Sequence, residues 1–276
     1  MIDAAARIAP ASWQPIAPAA PLLAAAAAPR AAAANDGLTP DHVRTNAALS
    51  ADVYRAEPTP PAGYRVASAA DLDRLGVSPE MLEQPGSSFR ARVYVSGDSY
   101  VVAFRGSQTG EDWKNNVQQA LGLNSESYAK ALEIGKAIAR VDADVSFTGH
   151  SLGGGLASAA AVASGREAVT FNASGLSDRT IAGARSIASA NGRGAASVDA
   201  FYVPGEALHL IQEGGDRAIG FTLGGIAGGA LADAPEAYGT QHALPDVRPA
   251  DRNWFEGLNP IDRHGIDWVV AGAGAL

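Results

Sequence analysis

The sequence predicts an α/β fold in which helices cover both faces of a mainly parallel sheet. Apolar strand-like segments alternate with helical segments from residue 100 to residue 203, which is typical of parallel strands joined by helical crossovers. Segment 100–104 is apolar throughout, as expected for a strand buried on both faces. With 47% hydrophobic and 18% charged residues, the composition is that of a globular protein.

Each element has a local signal. Thr39 or Asp41 can cap a first helix that continues to Tyr54, and short helical turns are expected at 71–75 and 79–82. Residues 89–95 alternate with period two, and the turn Ser96-Gly97-Asp98 joins them to the next strand. Further strands are predicted at 100–104, 145–148, 168–172 and 198–203, and further helices at 125–140, 152–163 and 177–190.

Length and composition predict one domain over 37–276, preceded by a disordered Ala/Pro-rich leader at 1–36. The start Met1-Ile2-Asp3 is acidic and prolines follow, so a signal peptide is not convincing; we expect a protein secreted or exported by another route, or else a cytoplasmic one. The chain has no cysteine, which excludes thiol catalysis and disulfides. Its net charge of −8 argues against nucleic acid as a partner.

The run Gly149-His150-Ser151-Leu152-Gly153 follows a short buried strand and opens a helix of small residues. A G-x-S-x-G turn in that context indicates the nucleophile elbow of an α/β-hydrolase-type fold, so Ser151 is predicted to be a catalytic nucleophile. His150 lies within the turn but is expected to point away from Ser151. We therefore interpret it as a supporting or packing residue.

Two backbone N–H groups are predicted to stabilise an oxyanion next to Ser151. Leu152 begins the helix after the turn, where N–H groups have no acceptor within the helix. Ser107 follows the apolar strand that ends in Phe104-Arg105-Gly106, and its N–H is the second expected donor. The alternative for Ser107 is a simple strand-ending turn.

Several spaced motifs resemble the class 3 lipase family, and more closely its bacterial branch of phospholipase A1-like and effector-type lipases. They are Ser50 to Tyr54, Phe104 to Ser107, Asp112 to Asn116, Gly149 to Gly154, Thr170 to Asn172, and His264-Gly265. The resemblance spans roughly residues 38 to 276. It implies hydrolysis of lipid esters without a cofactor or metal.

The triad acid is expected at the carboxyl end of a later strand, because sites in parallel sheets form there. Glu206 lies just after strand 198–203, whereas Asp199 lies at the opposite end of that strand. The resembling family usually has Asp at the position of Glu206, so a glutamate is a departure. The alternative is that Glu206 is an ordinary surface turn residue.

Two histidines remain as candidates for the base once His42, His150 and His209 are set aside for their positions in the chain. His264 precedes an apolar helix, and the resemblance places the family histidine in this segment. His242 is the alternative base. We predict Ser151, Glu206 and His264 as the catalytic set.

The expected function is that of a serine hydrolase acting on lipid esters, most simply a phospholipase A1 or lysophospholipase. The apolar, Gly-rich segment 218–232 lies within a possible insertion at 207–236 and is too short to span a bilayer. It is expected to form a lid or an acyl-chain groove, with a loosely packed core or loop segment as an equal alternative. Transient contact with a membrane surface is expected to be apolar. The alternatives are a carboxylesterase for small soluble esters and a non-catalytic binding protein of the same fold. If the protein is an exported effector, as the resemblance implies, an immunity or chaperone partner is expected.

Overall fold

The computed structural model describes residues 38–83, 87–107, 125–212 and 235–276. The strands in these ranges are β1 Arg65–Val66, β2 Ala91–Ser96, β3 Ser99–Phe104, β4 Asp144–His150, β5 Glu167–Phe171, β6 Ser197–Tyr202 and β7 Thr240–Ala243. The helices are α1 Pro40–Asp52, α2 Ala69–Leu75, α3 Pro79–Leu82, α4 Ser125–Ile138, α5 Leu152–Ser164, α6 Asp178–Ala190, α7 Ala207–Gln212, α8 Pro260–Arg263 and α9 Ile266–Gly274. A 3₁₀ turn forms at Glu256–Leu258.

One sheet contains all seven described strands in chain order, β1 to β7. The pairs β1/β2 and β2/β3 are antiparallel, and every pair from β3 to β7 is parallel. The predicted α/β fold class with a mainly parallel sheet is therefore confirmed. Because β3 to β6 are parallel and adjacent, their carboxyl ends lie along one edge of the sheet, where β4 leads directly into α5.

Neighbouring residues of a strand point to opposite faces of the sheet, and each face has its own apolar core. Ala168 packs with Ile134 of α4 and Leu156 of α5, whereas its neighbour Val169 packs with Val43 of α1 and Trp268 of α9. The crossover helices therefore cover one face and the two terminal helices cover the other. No helix within the described ranges is long and apolar enough to cross a membrane.

Helix α1 begins where the sequence indicates. Thr39 is its N-cap, and the Thr39 hydroxyl accepts a hydrogen bond from the His42 N–H at 3.2 Å, while Pro40 takes the first helical position. The helix ends at Asp52, which is buried and accepts hydrogen bonds from the Tyr94 hydroxyl (2.8 Å) and the Thr59 N–H (2.6 Å). The period-two alternation of β2 is that of a strand with one exposed face. In the structure, α1 covers the polar face of β2.

Besides the 3₁₀ turn, four short elements were not predicted from the sequence. They are β1, α7, β7 and α8, of two, six, four and four residues, and segments this short carry no helical or strand periodicity. The strand and helix around the nucleophile turn are also longer than predicted, because β4 extends to His150 and α5 continues to Ser164. The leader 1–36, the motif Asp112 to Asn116 and the apolar segment 218–232 lie outside the described residues.

The start of α5 lies directly against the end of β3. A Cβ atom on Gly153 would collide with the carbonyl oxygen of Phe104, and one on Gly149 would collide with the carbonyl of Gly153. This packing leaves no room for a side chain where β3, β4 and α5 converge. Glycine is required at Gly149 and Gly153 for steric reasons.

We expect Gly153→Ala to destabilise the fold by about 1–3 kcal/mol, since overpacking against rigid backbone cannot relax by a change of rotamer. Gly183→Ala is the matched control in α6, because a Cβ there would meet only the Leu132 side chain at 4.0 Å. This control should be neutral or stabilising by up to about 1 kcal/mol. Urea unfolding of both variants checks this, and equal stabilities would contradict the steric explanation.

Candidate active site

Ser151 lies in a sharp turn between β4 and α5 and has φ +60° and ψ −129°, a conformation rarely adopted by a residue with a side chain. Its N–H donates to the carbonyl of Phe171 at 3.0 Å, and its carbonyl accepts from Ser174 at 3.1 Å. These bonds on the β5 side maintain the strained backbone. The turn presents the Ser151 hydroxyl at the carboxyl edge of the sheet.

The structure brings Ser151, His264 and Glu206 together in one line of hydrogen bonds. Ser151 Oγ lies 2.9 Å from His264 Nε2, and His264 Nδ1 lies 2.5 Å from Glu206 Oε2. Both His264 and Glu206 are buried. The three residues are separated by more than fifty positions at each step along the chain, so only the fold places them in contact.

Glu206 follows β6 in the turn Val203-Pro204-Gly205-Glu206, in which Gly205 has φ +75°. The carboxylate accepts hydrogen bonds from the N–H groups of Leu208 (2.8 Å) and His209 (2.6 Å), at the start of α7. The His209 N–H binds Oε1, and the Leu208 N–H binds Oε2, the same oxygen that faces Nδ1 of His264. A carboxylate held in this way can orient the imidazole and stabilise a positive charge on it.

His242, the alternative base, lies elsewhere in the fold. It belongs to β7, where its Nε2 is 2.7 Å from Asp199 Oδ1 and its ring stacks on Phe201. Asp199 is near the start of β6, at the end of the strand opposite to Glu206. His242 and Asp199 form a second histidine–carboxylate pair, separate from the pairing of His264 with Ser151 and Glu206.

One predicted oxyanion donor, Leu152, directly follows Ser151, and the other, Ser107, follows a residue that packs against Ser151. Leu152 is the first residue of α5, so its N–H has no acceptor within the helix. On the other side, a Cβ on Gly106 would lie 3.2 Å from the Cβ of Ser151, which places the end of β3 against the turn. The Gly106 N–H donates to the Tyr54 hydroxyl at 3.0 Å, so the N–H of Ser107 stays the predicted donor at this end of β3.

Both ring nitrogens of His150 have hydrogen-bond partners other than Ser151. Its Nε2 lies 2.7 Å from the carbonyl oxygen of His264, and its Nδ1 lies 3.1 Å from the Tyr54 hydroxyl. Burial, followed by the nearby charge of His264, lowers the pKa of His150 to about 3. Burial also raises the pKa of Tyr54 above its ordinary range. Both groups are therefore neutral near pH 7.

Asn172 and Tyr54 are two site residues to which the sequence assigned no role. Asn172 follows β5 with φ +42°, and its side chain donates to the His264 carbonyl (3.2 Å) and accepts from the Val203 N–H (2.9 Å). Its position at the carboxyl end of a parallel strand was a signal that could have identified it. Tyr54 was marked only by its place in the Ser50 to Tyr54 motif.

Within the described ranges, no group of three or more His, Cys, Asp or Glu side chains is arranged to hold a metal ion. The chemistry that the described site can support with its own residues is nucleophilic attack by a serine, assisted by a histidine and a carboxylate.

Comparison with known proteins relates this geometry to a family. Over 162 residues, the chain is 41% identical to the protein named "Extracellular phospholipase A1" of Serratia liquefaciens, which corresponds to 56% of this chain and 50% of that protein. The chain thus spans about half the length of the curated relative that it matches. Residues 45–250 match the family described as "Phospholipase-like: Tle-like phospholipase domain". This segment includes Ser151 and Glu206 and ends before His264.

These matches confirm the resemblance to bacterial phospholipase A1-like lipases that the spaced motifs indicated. Since the family match covers more than half of its length, the chain belongs to the family of Tle-like phospholipase domains.

Proposed function

We propose that this protein is a serine hydrolase that cleaves carboxylic esters of lipids, as a phospholipase A1 or a lysophospholipase. The observation that carries the proposal is the line of hydrogen bonds from Ser151 through His264 to Glu206, within a chain of a phospholipase family. The activity named for the Serratia relative supports the same class of substrate.

Each residue has a defined role in this reaction. His264 Nε2 takes the proton of Ser151 as Oγ attacks the ester carbonyl, and the oxyanion is bound by the N–H groups of Leu152 and Ser107. The tetrahedral intermediate then releases the alcohol, which receives that proton from His264. Water activated by the same histidine cleaves the acyl-enzyme and releases a fatty acid. Glu206 holds the imidazole with its Nε2 toward Ser151 and stabilises its positive charge.

Hydrolysis of small soluble esters uses the same residues and is the second candidate. A non-catalytic binding protein of this fold is disfavoured, because such a protein has no need for a buried acid within hydrogen-bonding distance of the histidine. Secretion, an effector role and an immunity or chaperone partner stay predictions from the resemblance.

Defined substrates distinguish these functions. The protein is incubated with phospholipids of known chains at each position, with lysophospholipids, triacylglycerols and short-chain soluble esters, and the products are identified by mass spectrometry. We expect fatty acid release from phospholipid or lysophospholipid. Turnover of the short soluble esters alone would favour the second candidate, and no turnover of any ester would contradict the proposal.

Replacement of the nucleophile or the base should remove the activity. We expect Ser151→Ala and His264→Gln to lower kcat by about 10⁴-fold or more, as found for residues that act as one catalytic unit. His242→Gln is the matched control, because His242 pairs with Asp199 on β7, and its activity should stay near that of the unaltered protein. A large loss in His242→Gln with little loss in His264→Gln would reverse the assignment of the base.

The proposed role of Glu206 as the acid is tested by variants that change either its charge or the length of its side chain. Glu206→Gln keeps the size but removes the charge, and we expect kcat to fall by about 10³–10⁴-fold. Glu206→Asp keeps the charge but withdraws it from His264, so an intermediate loss is expected. Asp199→Asn removes the carboxylate at the opposite end of β6 and should have little effect. Circular dichroism of each variant controls for folding.

We also propose that the protein contacts the lipid surface through apolar side chains beside the base. Within the described ranges, Trp254, Phe255 and Leu258 are more than half exposed, whereas the other large apolar side chains are no more than 39% exposed. Asn253 holds this turn by accepting from the N–H groups of Phe255 (3.0 Å) and Glu256 (3.2 Å).

The turn is also attached to the helix that follows His264. Arg252 donates to Asp267 of α9 at 2.6 Å, and Arg263 donates to the carbonyl of Gly257 at 3.0 Å. The nearby ionic groups are paired with one another rather than forming a basic patch. Apolar insertion into a zwitterionic surface therefore suits this turn better than attraction to anionic lipid.

If each ring buries roughly 60 Å² in the lipid surface, its burial contributes about 1.5 kcal/mol to the free energy of binding. Removing one ring should therefore weaken binding by about tenfold. We therefore expect Trp254→Ser and Phe255→Ser each to weaken binding to phosphatidylcholine vesicles by about tenfold while hydrolysis of a soluble ester is unchanged. Val66→Ser, on β1 at the other edge of the sheet, is the control for loss of an exposed apolar side chain. Vesicle sedimentation measures the binding, and unchanged binding in both aromatic variants would contradict the proposal.

A further inference from the structure

A continuous chain of hydrogen bonds connects the end of β3 to the backbone of His264. The Gly106 N–H lies 3.0 Å from the Tyr54 hydroxyl, which lies 3.1 Å from His150 Nδ1, and His150 Nε2 lies 2.7 Å from the His264 carbonyl oxygen. Neither Tyr54 nor His150 takes part in the proton transfers described above. These hydrogen bonds lie on the face of the sheet that α1 covers, where Ser50 of α1 contacts Thr148.

The donor and the acceptor of each hydrogen bond in this chain can be assigned from the groups at its two ends. A carbonyl oxygen can only accept, so His150 Nε2 must carry a proton and donate it to His264. A neutral imidazole then has a bare Nδ1, which accepts from the Tyr54 hydroxyl. The Tyr54 oxygen is left to accept from the Gly106 N–H, which is a donor only. In each of these hydrogen bonds the donor is therefore on the Gly106 side and the acceptor is on the His264 side.

The His264 carbonyl is where this chain meets a second one. Asn172 donates to the same oxygen at 3.2 Å and accepts from the Val203 N–H, and the Glu206 N–H in turn donates to the Val203 carbonyl at 3.1 Å. The main chain of His264 is thus held from the β3 side by His150 and from the acid side by Asn172. The side-chain hydrogen bonds to Ser151 and Glu206 then set the orientation of the ring.

We infer that Tyr54 and His150 are positioning residues that hold the oxyanion-binding end of β3 and the backbone of His264 in one fixed relation around Ser151. This inference rests on the proposed hydrolase function. Gly106 and His264 lie on separate elements, and Tyr54 and His150 form a direct hydrogen-bonded connection between them. A displacement of about 1 Å at such a site can lower the rate about 10²-fold.

Variants at the two positions test the chain. Tyr54→Phe removes both the acceptor for Gly106 and the donor to His150, and we expect kcat to fall by about tenfold to a hundredfold with KM changed by less than about threefold. His150→Gln places an amide donor near the position of Nε2, within reach of the His264 carbonyl. His150→Asn ends near the position of Nδ1 and falls short of that carbonyl. The Gln variant should therefore retain about tenfold more kcat than the Asn variant.

The double variant Tyr54→Phe/His150→Asn tests whether the two residues act as a unit. In that case the double variant loses less activity than the product of the two single losses. Ser50→Ala is the matched control, because Ser50 is one helical turn before Tyr54 and its hydroxyl lies 2.9 Å from that of Thr148, two residues before His150. This control removes a buried hydrogen bond between α1 and β4, so it should lower stability and leave kcat unchanged.

Nitrogen-15 NMR of the imidazole rings tests the inference without enzymatic activity. In the unaltered protein we expect His150 to be a neutral ring protonated at Nε2, and we expect Tyr54→Phe to shift its Nδ1 resonance. Protonation at Nδ1, an equal kcat in the Gln and Asn variants, or losses that multiply in the double variant would overturn the inference. An unaltered protein that has the expected tautomer but hydrolyses no ester would contradict the proposed function and leave the hydrogen-bond chain intact.

Discussion

The turn from β4 into α5 depends on backbone packed directly against backbone, and the rest of the site is arranged around this contact. Gly153 lies against the end of β3 and Gly149 lies against Gly153, so no side chain fits between the two strands and the helix. Ser151 can keep its strained conformation because these neighbours and its hydrogen bonds to β5 leave it no alternative. The same close approach brings the end of β3 at Gly106 and the start of α5 to either side of the serine.

The end of helix α1 meets strand β4 through a match between two periodicities. Ser50 lies in the last turn of α1, and Tyr54 lies in the turn that directly follows the helix, where its N–H donates to the Ala51 carbonyl. Four residues at helical rise are about 6 Å apart along the axis. Thr148 and His150 are two residues apart on a strand, at about 6.6 Å on one face. The side chains of Ser50 and Tyr54 therefore meet the two side chains of the strand, Ser50 with Thr148 and Tyr54 with His150. In the motif Ser50 to Tyr54, Ser50 thus fixes α1 against β4, and Tyr54 contacts the residue next to Ser151.

The proposed base, His264, and the proposed acid, Glu206, are held by hydrogen bonds with backbone groups rather than by a place in a strand. His264 lies between two short helices and Glu206 lies in a turn, and neither position has a fixed place in the sheet. His150 and Asn172 bind the His264 carbonyl, while the N–H groups of α7 bind the Glu206 carboxylate. A site built in this way needs every polar partner to be satisfied, because an unpaired buried group would be costly. Glutamate in place of the family's usual aspartate is compatible with this arrangement, since its carboxylate reaches His264.

The sequence by itself determined the fold class, most of the strands and helices, and Ser151 as the candidate nucleophile, because these depend on local periodicity and on glycines at fixed spacing. Glu206 and His264 were predicted from chain order and resemblance, with His242 left open as a base. Only the tertiary structure placed His264 beside Ser151 and His242 beside Asp199, because both histidines lie in segments whose position is set by distant contacts. The roles of Tyr54 and Asn172 emerged only in the fold, as did the partners of His150, which the sequence marked only as a supporting or packing residue. Their partners are up to 114 residues away, and no local pattern encodes a contact across that distance.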